Sequence, residues 1–156
     1  MSKPPVRTAP PTPKQIQQQE KFAKAATYAK NALLDPTLKE AYTTEAKKRQ
    51  NVSPYNMAMT DYLRPPQITK VDTTNYTGDA SGEKIIIEAG DAFKITTMKV
   101  KITAANSSTL EEGTATLVKG KWEYTTTTTN TTLTGSKITL TATDRPGNTT
   151  TKEITL

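Results

Sequence analysis

The chain has 156 residues, with 21 Lys and Arg against 15 Asp and Glu for a net charge of +6, and it contains neither cysteine nor histidine. Without cysteine there are no disulfides, thiolate chemistry or cysteine zinc sites, and the redox compartment stays undecided. Without histidine the usual proton shuttle and the commonest transition-metal ligand are missing, so any metal would need oxygen ligands, which leaves calcium and magnesium.

The charge is unevenly placed. Residues 1–64 hold 11 Lys and Arg against 5 Asp and Glu, and residues 65–156 hold 10 against 10. All the excess positive charge is N-terminal, where it can attract an anionic partner or form a solvated helix face. No apolar run approaches the ~18 residues that would suggest a membrane span. The first residues, MSKPPVRTAPPTPK, lack the apolar stretch of a secretion signal.

Residues 1–11 contain four prolines and two cations and almost nothing apolar. They are expected to form an extended arm, because proline removes backbone donors and so little apolar surface cannot offset ordering. Residues 12–64 are expected to form a basic helical segment of three helices. Each start has the same form: Thr12-Pro13, Asp35-Pro36 and Ser53-Pro54. The first residue accepts from an orphan amide, and proline at the first helical position lacks an amide that would be orphaned anyway. Gln15 completes a capping box with Thr12.

Apolar residues recur at helical spacing along each segment. They are Phe22, Ala25, Ala26, Ala29, Ala32 and Leu33; then Leu38, Ala41, Tyr42 and Ala46; then Tyr55, Ala58, Met59 and Tyr62. These stripes predict a small core of alanine and tyrosine that includes Phe22. Lys47, Lys48 and Arg49 form the densest cationic point, at the end of the second helix. There they suit the helix dipole, and they are also the candidate phosphate contacts if the head binds nucleic acid.

From Gln67 the period changes to two. Met98, Val100, Ile102 and Ala104 alternate with lysine and threonine, as do Ile138, Leu140 and Ala142, and Trp122 and Tyr124 flank Glu123. Threonine fills 25 of the 92 positions from residue 65, which suits the wet face of half-buried strands. About seven strands are expected, near 67–72, 83–89, 94–104, 114–119, 121–127, 137–143 and 149–156. The predicted fold is therefore α+β in separate parts, with a two-sheet sandwich over residues 65–156. Residues 144–148, Asp-Arg-Pro-Gly-Asn, predict the hairpin joining the last two strands, with Gly147 at a positive φ.

Two segments of this region, GKWEYT at 120–125 and ITLTATDRPGNT at 138–149, resemble bacterial immunoglobulin-like (Ig-like) domains. Those domains carry a G-x-W-x-Y-T strand and a later A-x-D-x-x-G-N-T hairpin. The resemblance covers roughly residues 67–156. It implies a buried Trp122, a last hairpin pinned by Asp144 and Asn148, and no catalytic residues. Such domains usually occur as tandem repeats in exported surface proteins, whereas this chain has one copy. The overall layout resembles small uncharacterised bacterial proteins that join a helical head to an Ig-like tail. Residues 34–49, LDPTLKEAYTTEAKKR, are similar to the last helix of HMG-box proteins, without the tryptophan and the wedge-bearing first helices of that box.

No catalytic or cofactor-binding residues are expected. Ser107 and Ser108 have no lysine motif beside them. Glu111 and Glu112 are adjacent, would face opposite ways on a strand, and are expected at the solvated end of a hairpin. Gly120-Lys121 lacks the rest of a phosphate loop. Asp72, Asp79, Asp91 and Asp144 fall near strand ends, where carboxylates could converge on calcium, although turn capping accounts for each without metal. The chain therefore reads as a non-catalytic interaction or assembly protein that meets a protein partner or a second copy of itself. A phage or secretion-machine component would suit such an arm by analogy. The other reading is a nucleic-acid-associated protein using Lys47, Lys48 and Arg49.

Overall fold

The three Pro-initiated starts each open a helix in the computed structural model, which describes Pro4, Val6 and Ala9–Leu156. The helices are α1 (Pro13–Ala32), α2 (Pro36–Lys47) and α3 (Pro54–Leu63). The caps form as the residue types require. Thr12 Oγ1 accepts from the Gln15 amide at 3.3 Å, and the Gln15 side chain accepts from the Thr12 amide at 2.9 Å. Asp35 accepts from the amides of Thr37 and Leu38, and Ser53 from that of Asn56. Most of the proline arm lies outside the described residues. Among the described residues, no helix is long and apolar enough to cross a membrane.

The chain forms two compact units, Met1–Met59 and Thr60–Leu156, so the division falls inside α3. Among the described residues of the first unit, the buried ones are Ala25, Ala29 and Ala32 on α1, Tyr42 and Ala46 on α2, and Met57 and Ala58 on α3. The Tyr28 and Tyr42 hydroxyls meet at 2.7 Å. Two expectations need correction. Phe22 is 49 % exposed, not buried. It is in phase with the alanines, yet half of its surface stays open. On α3, Met57 is fully buried and Met59 only partly, because the inward face runs through 57, 58 and 61.

The second unit adds eight strands to the last turn of α3: β1 (Gln67–Asp72), β2 (Lys84–Gly90), β3 (Ile95–Thr103), β4 (Thr109–Thr114), β5 (Thr116–Val118), β6 (Lys121–Thr125), β7 (Lys137–Asp144) and β8 (Thr149–Thr155). They form two antiparallel four-stranded sheets, ordered β1-β2-β6-β5 and β4-β3-β7-β8, packed as a sandwich. The alternating residues face inward as their period predicts. Met98, Val100 and Ile102 pair with Ala142, Leu140 and Ile138, and Ile87 and Ile85 pair with Trp122 and Tyr124. These ten residues lie in one buried cluster drawn from both sheets.

The second unit has eight strands and not about seven: the expected strand near 114–119 is β5, and β4, over residues taken for a hairpin end, is the additional one. Residues up to Thr114 pair with β3, and residues from Thr116 pair with β6. Ala115, 3 % exposed, sits at the corner, and its amide donates to the Met98 carbonyl at 2.8 Å. A small residue there lets the backbone pass from one layer to the other. The predicted hairpin forms: Gly147 takes φ +95°, and the Asp144 amide donates to the Asn148 carbonyl at 3.0 Å.

Candidate functional site

The densest grouping of chemistry in the second unit lies at one end of the sandwich and joins three carboxylates. Asp61 sits in the last turn of α3, Asp91 directly follows β2, and Asp144 ends β7. One carboxylate oxygen from each lies within 4.8 Å of the others. Asp61 is fully buried and Asp144 is 2 % exposed. Asn148 organises the surroundings. Its amide donates to Asp144 Oδ1 at 2.6 Å. Its Nδ2 donates to Asp144 Oδ2 at 2.8 Å and to the carbonyls of Tyr62 at 3.0 Å and Asp61 at 3.4 Å. One side chain thus holds the hairpin, one acid and the end of α3 together.

Both oxygens of Asp91 are closed off from solvent, each exposing less than 1 Å², and neither has a hydrogen-bond partner. Two unit charges some 5 Å apart repel by roughly 3–4 kcal/mol at an effective dielectric of about 20. Burial, together with the nearby Asp91 charge, pushes the Asp144 carboxyl above its ordinary range, against the bonds from Asn148. The unit's ion pairs Lys84–Glu123, Lys121–Glu88 and Lys137–Glu153 do not reach Asp91 or Asp144. Arg145 instead stands over the ring of Phe93, 4.9 Å from its centroid.

Of the four strand-end acids read from the sequence, the fold brings Asp91 and Asp144 together and leaves Asp72 and Asp79 outside the group. Asp72 caps its own turn by accepting from the amide and hydroxyl of Thr74, and the hydroxyl bond leads in holding its carboxyl below the ordinary value. Asp61 was missed. Its signal was a charged residue at the fourth position after Met57, in phase with the buried face of α3.

A second buried acid corrects an expectation. Glu111 is 8 % exposed, not at the solvated end of a hairpin, because β4 turns it inward while Glu112 faces out. Its oxygens accept from Tyr124 Oη at 2.7 Å, the Thr127 amide at 2.9 Å, and the Thr128 amide and hydroxyl at 3.0 and 2.8 Å. Burial raises the Glu111 pKa, but these bonds outweigh it and hold the carboxyl below its ordinary value. Tyr124 is raised, first by burial and then by the bond to Glu111. This arrangement orders the threonine run after β6 and leaves the carboxylate no free face for substrate.

In the first unit Lys47, Lys48 and Arg49 are all exposed at the end of α2. Lys48 Nζ lies 2.9 Å from Glu45, and Arg49 approaches the same carboxylate at 4.0 Å. Part of the cationic charge is therefore already answered within the helix. The chain matches no protein-family model and no curated protein.

Proposed function

We propose that this chain is a non-catalytic interaction or assembly protein, an Ig-like sandwich with a helical docking head. The observation that carries the reading is the set of large apolar side chains that the head leaves exposed. Ile16 is 43 %, Phe22 49 % and Leu34 81 % exposed, while α1 buries only alanines. Gln15, Gln18, Gln19 and Phe22 line a shallow groove along one face of α1. Exposed apolar side chains, with Phe22 set among uncharged glutamines, suit a protein surface better than a phosphate backbone. The strand order supports the Ig-like assignment. In Ig constant-type domains strands A, B, E and D share one sheet and C, F and G the other. Here β1-β2-β6-β5 reads as A-B-E-D and β3-β7-β8 as C-F-G, with β4 added beside C.

The competing reading is nucleic-acid binding through Lys47, Lys48 and Arg49, and salt dependence separates the two. Each phosphate neutralised on duplex DNA contributes about −0.9 to the slope of log K against log salt. A DNA-binding head would lose up to about 2–3 units of slope in the K47A/K48A/R49A variant. Titration of the intact chain with duplex and single-stranded DNA at two salt concentrations is expected to give nothing tighter than the non-specific range, about 10⁻⁴–10⁻⁶ M at physiological salt. Sedimentation of the intact chain over a concentration series checks the docking face directly. Self-association that resists salt and is lost in Ile16→Ser with Phe22→Ser is the expected result for docking on a second copy. Submicromolar DNA binding at the higher salt, abolished in the triple variant, would overturn the protein-docking reading.

A further inference from the structure

We infer that Asp61, Asp91 and Asp144 form a calcium site that fastens the last turn of α3 to the β7–β8 hairpin. Three observations lead there. The three oxygens lie within 4.8 Å of one another, and two ligands of one calcium ion, each at about 2.4 Å, can stand no farther apart than that. Both oxygens of Asp91 are buried without any hydrogen bond, although an unmet carboxylate is among the costliest groups to bury. Asn148 satisfies the hairpin side of Asp144 and, being a donor there, fixes the carboxylate without neutralising it. Asp144 is thus held in place, while the unit's ion pairs Lys84–Glu123, Lys121–Glu88 and Lys137–Glu153 reach neither it nor Asp91.

The donor chemistry selects the ion. Carboxylate oxygens are hard ligands, and the chain has no histidine or cysteine to attract a softer metal. Magnesium keeps several of its waters and normally takes one or two carboxylates. Calcium accepts three or more in irregular geometry, with water completing six to eight ligands. Three acids from three separate elements, closed off from bulk water, suit calcium. The alternative way to relieve the repulsion is a proton shared among the acids, and the experiment distinguishes the two.

The intact chain, stripped with chelator, is titrated with calcium chloride and separately with magnesium chloride by calorimetry, and melted in calcium and in EDTA. One calcium per chain is expected, with Kd between about 10⁻⁶ and 10⁻³ M, and magnesium at least tenfold weaker. Calcium at roughly ten times Kd should raise Tm by about 5–10 °C. Asp91→Asn should weaken calcium at least tenfold and lose the Tm rise, yet melt no lower than the wild type in EDTA, because it removes an uncompensated charge. Asp61→Asn tests a second ligand in the same way, and the emission of Trp122 reports whether each variant is folded. Absence of calcium binding up to about 10 mM, with Asp91→Asn stabilising under all conditions, would assign the group to a shared proton and overturn the site. Calcium binding unchanged in both variants, or magnesium binding as tight as calcium, would overturn it equally.

Discussion

Trp122→Ala is expected to lower the stability of the chain by about 3–5 kcal/mol, the range for truncating a large core aromatic. Trp122 is 8 % exposed, lies on β6 between Ile87 of β2 and Leu117 of β5, and belongs to the cluster that both sheets share. Removing the indole leaves a void that Ile87 and its neighbours cannot close, since they are held in register by two strand ladders. Because this is the only tryptophan, its emission reports on the sandwich alone. It should be blue-shifted and shielded from quenchers in the wild type. A denaturant titration should show the alanine variant shifted in midpoint with an unchanged slope. A near-neutral variant together with a quencher-accessible wild-type tryptophan would mean that β6 presents Trp122 outward, and the sandwich register would be wrong.

The next largest effect is expected at Glu111. Glu111→Ala removes the acceptor of Tyr124 Oη and of the Thr127 and Thr128 amides, leaving buried donors unmet. This should cost about 2–4 kcal/mol. Glu111→Gln keeps one acceptor oxygen but sets an amide group against another N–H donor, and should cost about half as much. The pH dependence has a definite sign. The folded-state pKa of Glu111 lies below its ordinary value of 4.5, so the ionised group contributes stability above about pH 4.5, lost as pH falls through the folded value. The stability gap between the wild type and Glu111→Gln should therefore narrow in acid. Asp72, Glu83 and Glu88 are also held below their ordinary values, but they are common to both proteins and cancel in the difference. Chemical denaturation at pH 7 and pH 3.5 measures the gap. A gap that widens in acid would show that the Glu111 bonds do not hold the charged form.

Much of this architecture is local and was therefore legible in the residues. A cap, a proline and a stripe of alanines act within one or two turns, so Thr12-Pro13, Asp35-Pro36 and Ser53-Pro54 locate their helices without reference to the rest of the chain. Alternation in Met98–Ala104 and Ile138–Ala142 is set by strand geometry, and the Asp144–Asn148 turn by Pro146 and Gly147. The features that were missed depend on contacts distant in sequence. Glu111 reads as a surface acid, because nothing near it announces that Tyr124 and the Thr127 and Thr128 amides will meet it; that inward carboxylate is also what hid β4. Phe22 follows the alanine stripe faithfully, yet burial needs a partner side chain from another element, which periodicity does not supply. Asp61, Asp91 and Asp144 are separated by 30 and 53 positions, so sequence alone could nominate two strand-end acids but not their convergence with the third. The sequence by itself determined the elements and their inward faces, because those follow from periodicity and backbone preference. Only the tertiary structure decided which polar groups share a buried space, because burial and charge proximity arise when separate elements pack together.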